Sequence, residues 1–262
     1  MTGLLECVGV QCRFGAFLAT KGIDLSVESG EVVGIIGANG AGKTTLLNVV
    51  SGHVTPTEGR VMFRGANITG MPPRALVRRG IARSFQVPQL FASCTARENM
   101  MIALSLLVER RSSLLRHFSD KRLADRALHI LDAYGIAGYA DLIVGSVPQG
   151  VRKLLDIAMA TCAEPDLVLL DEPTSGVSAD EKNDLVSRLI RRFRDTPAAV
   201  VFIEHDMAVV REYASRVVAL YDGRIVADGD ATDVFAHQDV VRLITGADGV
   251  ASVGIENRYA SA

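Results

Sequence analysis

Two stretches of this chain carry residue types whose order could do phosphate chemistry. The first is GANGAGKTT, residues 37–45, which matches the pattern G-x-x-x-x-G-K-[ST]. Gly37, Gly40 and Gly42 let backbone N–H groups turn inward around phosphates, and Asn39, Ala41 and Thr45 complete the loop. A helix beginning at the loop's end adds a partial positive charge, Lys43 can reach the outer phosphates, and the Thr44 hydroxyl can bind Mg²⁺. The second is LVLLDEP, residues 167–173. Asp171 closes an apolar run, where a carboxylate can hold Mg²⁺ beside the first loop. Glu172 follows directly and points elsewhere, so it can polarise a water instead of duplicating the metal contact. Together the two stretches predict a nucleoside triphosphate site that uses Mg²⁺ and is built for hydrolysis.

Such residues need a parallel sheet to converge. The phosphate loop follows an apolar run, EVVGIIG, and precedes a helical pattern, TTLLNVVSG. LVLLD reads as a fully buried central strand. After it the pattern alternates: a helix over 180–194, the strand AAVVFIEH, a helix over 206–215, then RVVALYDG and RIVADGD. Alternating strands and helices imply a parallel sheet with right-handed crossovers. Before the loop, LLECVGVQCRF and IDLSVES predict two or three strands broken by turns. From 86 to 161 strand signals vanish and helical ones dominate, with a basic, Ser-rich connection at 109–122. The expected architecture is therefore α/β: a parallel-sheet P-loop core over 1–85 and 162–245, an N-terminal antiparallel region, and an inserted α-helical lobe over 86–161. The tail, 246–262, is small and polar and is expected to be loosely ordered.

Composition narrows the class further. The chain has 262 residues, 48% of them hydrophobic, and a net charge of -2, so nothing favours a nucleic-acid partner. Cys7, Cys12, Cys94 and Cys162 lack the spacing of a metal site and read as reduced, mostly buried thiols. No apolar run is long enough for a signal segment or a bilayer span, so any membrane role is expected from one face, through a partner.

With these motifs in order, the chain resembles the ATP-binding subunits of ABC transporters over roughly residues 4–245. The resemblance implies ATP as substrate and further site residues, matched one at a time. Gln86, in ARSFQVPQLF, corresponds to the glutamine at the lobe junction that senses the γ-phosphate, contributes to the metal site and faces the membrane subunit. His205, in VFIEHD, corresponds to the histidine that contacts the γ-phosphate. Phe14, in CRFGAF, stands where the family stacks an aromatic on adenine, with Phe17 second for that role. GIARSFQVPQLF, the pattern P-x-E-G-x-V-x-F-x-G-x-x-I-T-G over 56–70, and YDGRIVADG are similar to ATPases of branched-chain amino-acid importers, with urea or short-amide importers as relatives. That likeness implies integral membrane permease subunits, a second ATPase subunit, an indirect periplasmic solute-binding protein, and a peripheral position on the cytoplasmic face of the inner membrane. A soluble, non-transport ABC ATPase is the other reading; it would add coiled coils, zinc cysteines or a second ATPase domain.

One departure stands out. The family's signature, usually L-S-G-G-Q, reads V-P-Q-G-V here, residues 147–151, and only Gly150 matches. In the family this segment opens a helix and grips the γ-phosphate held by the opposite subunit. Pro148 supplies neither hydroxyl nor N–H, although its fixed φ suits a first helical turn. Losing a charge-assisted hydrogen bond costs about 1.5–3 kcal/mol, roughly 10- to 100-fold in rate if the loss falls on the transition state. The segment after the Asp–Glu pair, Ser175-Gly176-Val177-Ser178, also ends differently from the family's usual Asp or Asn. The expectation is an asymmetric pair, in which this chain supplies a full catalytic half and a different ATPase supplies the facing signature. The alternative is that Gly150 and the helix end suffice, and both sites turn over.

Overall fold

The computed structural model describes residues 3–84, 89–107, 120–194 and 196–244. Gln86, most of the 109–122 connection and the tail from 246 lie outside the described residues.

Two sheets carry the fold. β1 (Leu5–Phe14) and β2 (Phe17–Val27) form an antiparallel hairpin. With β4 (Glu58–Phe63) and the short β5 (Ala66–Asn67) they make a four-stranded sheet in the order β2-β1-β4-β5. The second sheet contains β3 (Val32–Gly37), β6 (Ile81–Ser84), β7 (Leu167–Asp171), β8 (Ala199–Ile203), β9 (Arg216–Tyr221) and β10 (Arg224–Gly229). Its order is β10-β9-β3-β8-β7-β6, parallel throughout except where β10 pairs antiparallel with β9. The carboxyl ends of β3, β7 and β8 therefore meet along one edge, the place where open α/β sheets put ligands.

The helices follow from the apolar spacing. α1 (Lys43–Val50) springs from the phosphate loop, and α2 (Pro73–Val77) leads into β6. The lobe consists of α3 (Ala96–Leu107), α4 (Lys121–Ala133) and α5 (Gln149–Thr161), with two single 3₁₀ turns between α4 and α5. α4 starts at Lys121, one residue before the expected end of the connection, because the Asp120 side chain caps it by accepting from the Arg122 N–H. α6 (Ala179–Arg194), α7 (Met207–Tyr213), α8 (Ala231–Ala236) and α9 (Gln238–Leu243) complete the chain.

The parallel sheet divides the interior. On β7, Leu167 and Leu169 face a core shared with the antiparallel sheet and α1, whereas Val168 and Leu170 face a core that runs on into the helical lobe. Met100, Leu104, Leu131 and Leu155 of the lobe join that second core without a break. The lobe is thus fixed to the sheet by continuous apolar packing.

Candidate functional site

The phosphate loop lies at the carboxyl end of β3, and its shape depends on glycine. Gly42 sits at φ +96, and a Cβ there would stand 2.5 Å from the Ala19 carbonyl oxygen. Any larger residue would both strain the backbone and push the loop off β2. Gly42 is the N-cap of α1 and provides no side-chain cap, so the first-turn N–H groups stay available to an anion. Together these make a cradle that fits triphosphate.

Asn39, Gly40, Ala41, Gly42, Lys43, Thr44 and Thr45 line a cavity of about 170 Å³ together with Phe17, Ala19, Glu172 and His205. Gly37 ends β3 beneath the loop. Lys43 is buried and curls back, donating from Nζ to the carbonyls of Gly37 at 2.6 Å and Ala38 at 3.0 Å. Burial pulls its pKa down from the ordinary amine value, and the charges of Glu172 and Asp171 oppose that pull.

Glu172 and His205 meet: Nε2 of the imidazole lies 2.9 Å from Oε1 of the carboxylate. They arrive from adjacent strands, because β7 and β8 pair in register with Asp171 opposite Ile203. Glu172 holds a left-handed backbone, φ +50, costly for a residue with a side chain. The Glu172 N–H donates to the Ile203 carbonyl at 3.0 Å, and the Glu172 carbonyl accepts from the Ser175 N–H at 3.0 Å, so both sides of the strained residue are pinned.

Asp171 is buried below this cavity and does not line it. Its Oδ2 accepts from Arg83 Nη2 at 3.0 Å, and Arg83 Nη1 donates to Asn48 Oδ1 at 2.6 Å and Ser51 Oγ at 2.8 Å. Sequence reasoning passed over Arg83. The signal was a lone cation in the apolar run GIARS, which the parallel register sets beside β7, with Arg83 opposite Leu169. Glu204, next to His205, was passed over too, although a carboxylate closing a buried strand resembles the Asp171 case.

Phe14 and Phe17 face one another across the β1–β2 turn, and both are exposed. Phe17, the second choice from sequence, lines the cavity, whereas Phe14 is not among its lining residues. Pro148 is the N-cap of α5 and precedes its first helical residue, Gln149, one position earlier than expected from the proline's fixed φ. It contributes no side-chain cap. Pro148 and Gly150 line a different cavity of about 130 Å³, with Tyr139, Leu154, Glu181 and Arg188 among its walls. Within one chain, then, the signature segment and the phosphate loop occupy separate places. Among the described residues no cluster of three or more His, Cys, Asp or Glu could hold a metal on its own. A hydroxyl and a carboxylate, Thr44 and Asp171, are the hard oxygen donors Mg²⁺ uses when phosphates and waters fill its remaining positions.

This fold and this site define the P-loop ATPase domain of ABC transporters. The family model described as ABC transporter matches residues 20–175, and the chain belongs to that family. Among individual proteins, it is 32% identical to the high-affinity branched-chain amino acid transport ATP-binding protein BraF of Pseudomonas aeruginosa, covering 93% of this chain and 98% of that one. It is 31% identical to LivG of Escherichia coli, a protein of the same description, with the same coverage. A nucleotide-free ATP-binding cassette from an ABC transporter superposes with a TM-score of 0.81 at 29% identity, covering 92% of this chain and 98% of that one. Another cassette, in its ADP conformation, gives 0.80 at 28% identity, covering 93% and 98% respectively. The chain is an ABC-type ATPase whose hydrolysis drives transport.

Proposed function

We propose that this chain is the ATP-hydrolysing subunit of an importer for branched-chain amino acids, working at the cytoplasmic face of the membrane against permease subunits. The observation that carries the hydrolytic part is the Glu172–His205 contact at the open side of the phosphate loop. The cargo rests on the full-length likeness to BraF and LivG. Urea or short-amide import is the second reading, since the ATPase does not meet the cargo. Among the described residues no helix is long and apolar enough to cross a membrane, so the permease subunits would supply the path.

The loop's N–H groups and the α1 N-terminus hold the triphosphate. Lys43 exchanges the carbonyls of Gly37 and Ala38 for phosphate oxygens of higher charge, and so neutralises charge that spreads in the transition state. Thr44 and Asp171, with Gln86 expected to join them, would hold Mg²⁺, which supplies charge stabilisation and in-line orientation when bound. His205 orients Glu172 through Oε1, and the carboxylate takes a proton from the attacking water. Phe17 stands where an adenine ring could stack. Nothing within the chain demands glycine at 150, because an added Cβ would make only an ordinary contact with Val177 at 3.8 Å. Gly150 is itself buried, so the nucleotide of a companion ATPase would meet the exposed Pro148 and the first-turn N–H groups of α5.

The test is ATP hydrolysis by the purified chain over a range of concentrations, alone and with the candidate companion ATPase. Binding of ATP with silence until the companion arrives fits an asymmetric pair. Activity rising steeply with the chain's own concentration means that V-P-Q-G-V works in a homodimer. Failure to bind ATP at all overturns the proposal.

A further inference from the structure

Glu204 is a charged group that the mechanism above leaves unused, and it is only 3% exposed. Its carboxylate accepts twice from backbone: Oε1 from the Thr174 N–H at 2.9 Å, and Oε2 from the His205 N–H at 3.3 Å. Those donors belong to the two segments whose side chains meet in the catalytic contact. Thr174 lies in the turn that holds Glu172 at φ +50, and His205 is the partner of that residue. One buried carboxylate thus staples both halves of the Glu172–His205 pair from beneath.

A carboxylate taken out of water is stabilised by N–H donors and further by a nearby cation. Lys153 on α5 is 2% exposed and lies among Asp156, Glu204, Glu172 and Asp171. Burial lowers its pKa, and those carboxylates oppose the shift, Asp156 most and Glu204 next. Asp156, one turn along the same helix, accepts from the Gln89 N–H at 3.0 Å. A single helix therefore carries a buried cation whose charge acts on Asp156 first and Glu204 next, and an anchor for Gln89. That helix opens at Pro148 and Gly150.

We infer that Glu204 and Lys153 are a positioning pair for hydrolysis: Glu204 sets the backbone beneath Glu172 and His205, and Lys153 holds Glu204 from α5. The inference rests on the reading of Glu172 and His205 as the hydrolytic pair. It assigns no contact with ATP to either residue. Glutamine at 204 would not serve, because its NH₂ would face one of the two N–H donors.

The experiment is amide hydrogen exchange on the full-length chain without nucleotide, paired with Mg·ATP binding and with turnover in the presence of the companion ATPase. Lys153→Met and Glu204→Gln should each speed exchange in the peptides spanning 172–176 and 205 by about tenfold, with the phosphate-loop peptide unchanged. Turnover should fall about tenfold while ATP affinity stays within about twofold. Lys153→Arg should restore both, and the double variant should be no worse than the worse single one. Wild-type exchange at 172–176 and 205 in Lys153→Met overturns the pairing. So does a melting or ATP-binding loss that matches the loss of turnover. If Glu204→Gln does not fold, Lys153→Met against Lys153→Arg decides alone; if Lys153→Met does not fold, Glu204→Asp decides, since a shortened carboxylate must loosen the same two peptides. A wild-type chain that cannot bind ATP sinks the ATPase reading, whereas the nucleotide-free exchange result still judges the pair.

Discussion

At the scale of single residues, the site depends on charges that must stay apart in sequence and together in space. Glu172→Gln keeps the shape and the contact with His205 but cannot take a proton. The expected result is ATP binding within about threefold of wild type and turnover down by at least about a hundredfold, read by single-turnover hydrolysis. Ordinary turnover would remove Glu172 as the base. Arg83 makes a different demand. Its guanidinium is buried against Asp171, Asn48 and Ser51, and Arg83→Met would leave a buried carboxylate without its hydrogen-bonded cation. That class of loss costs about 3–5 kcal/mol, measurable as a shift in the urea midpoint. A shift below about 1 kcal/mol would mean that solvent or another group satisfies Asp171. The phosphate loop and the Asp171–Glu172 pair were legible because each is contiguous in sequence. Arg83 and Glu204 were not, because Asp171 reaches Arg83 from another strand and Thr174 reaches Glu204 from the turn after β7. Phe14 and Phe17 pair directly across the hairpin and share a sheet face, so no alternation in the sequence separates them; only the place of β2 beside the loop puts Phe17 in the cavity.

At the scale of elements, helix α5 sets the most specific expectations. Its first turn has no side-chain cap, since Pro148 stands where serine would serve. Pro148→Ser trades a fixed φ for a capping hydroxyl, so folding stability should change by less than about 1 kcal/mol. If the proline limits the second site, turnover of the assembled complex should rise about tenfold or more. Unchanged turnover would show that Gly150 and the helix end suffice. Gly150→Ala separates the same two quantities in the opposite direction. It should stabilise the isolated chain by roughly 0.5–1 kcal/mol, because the backbone there is helical and the added methyl meets only Val177. It should nevertheless lower turnover in the complex, if another subunit's nucleotide approaches there. Stability by thermal melting and hydrolysis by phosphate release would test this pair of outcomes. Helix existence was readable from apolar spacing, and so was the loss of strand signals through the lobe. The helix start was less so: α5 begins after its proline instead of on it, because Pro148 holds φ -55 and ψ 154, outside the helical range.

At the scale of the whole molecule, the parallel sheet separates two cores, and each contains a titratable group held neutral. Cys7 belongs to the core beneath the antiparallel sheet, where burial pushes its thiol from 9.0 up to about 12. Cys162 and Tyr134 belong to the core shared with the helical lobe. Burial raises Cys162 from 9.0 to about 11 and Tyr134 from 10.0 to about 12, the latter opposed by its hydrogen bond with Thr161. The sign follows from linkage. In the unfolded chain these groups ionise near their ordinary values, whereas in the folded chain they keep their protons. Their contribution to stability is therefore complete below about pH 9 and is lost as pH rises through the folded values. Between about pH 9 and pH 11 the unfolding free energy should fall by roughly 1.4 kcal/mol per pH unit for each group that ionises only when unfolded. Urea titrations across that range measure the slope directly. Cys7→Val should remove part of it by relieving the first core, and Cys162→Ala part by relieving the second. If the two cores unfold as one cooperative unit, each substitution flattens the same single transition. Two separate transitions, each answering to only one of the substitutions, would mean that the lobe and its core can open while the antiparallel side stays folded.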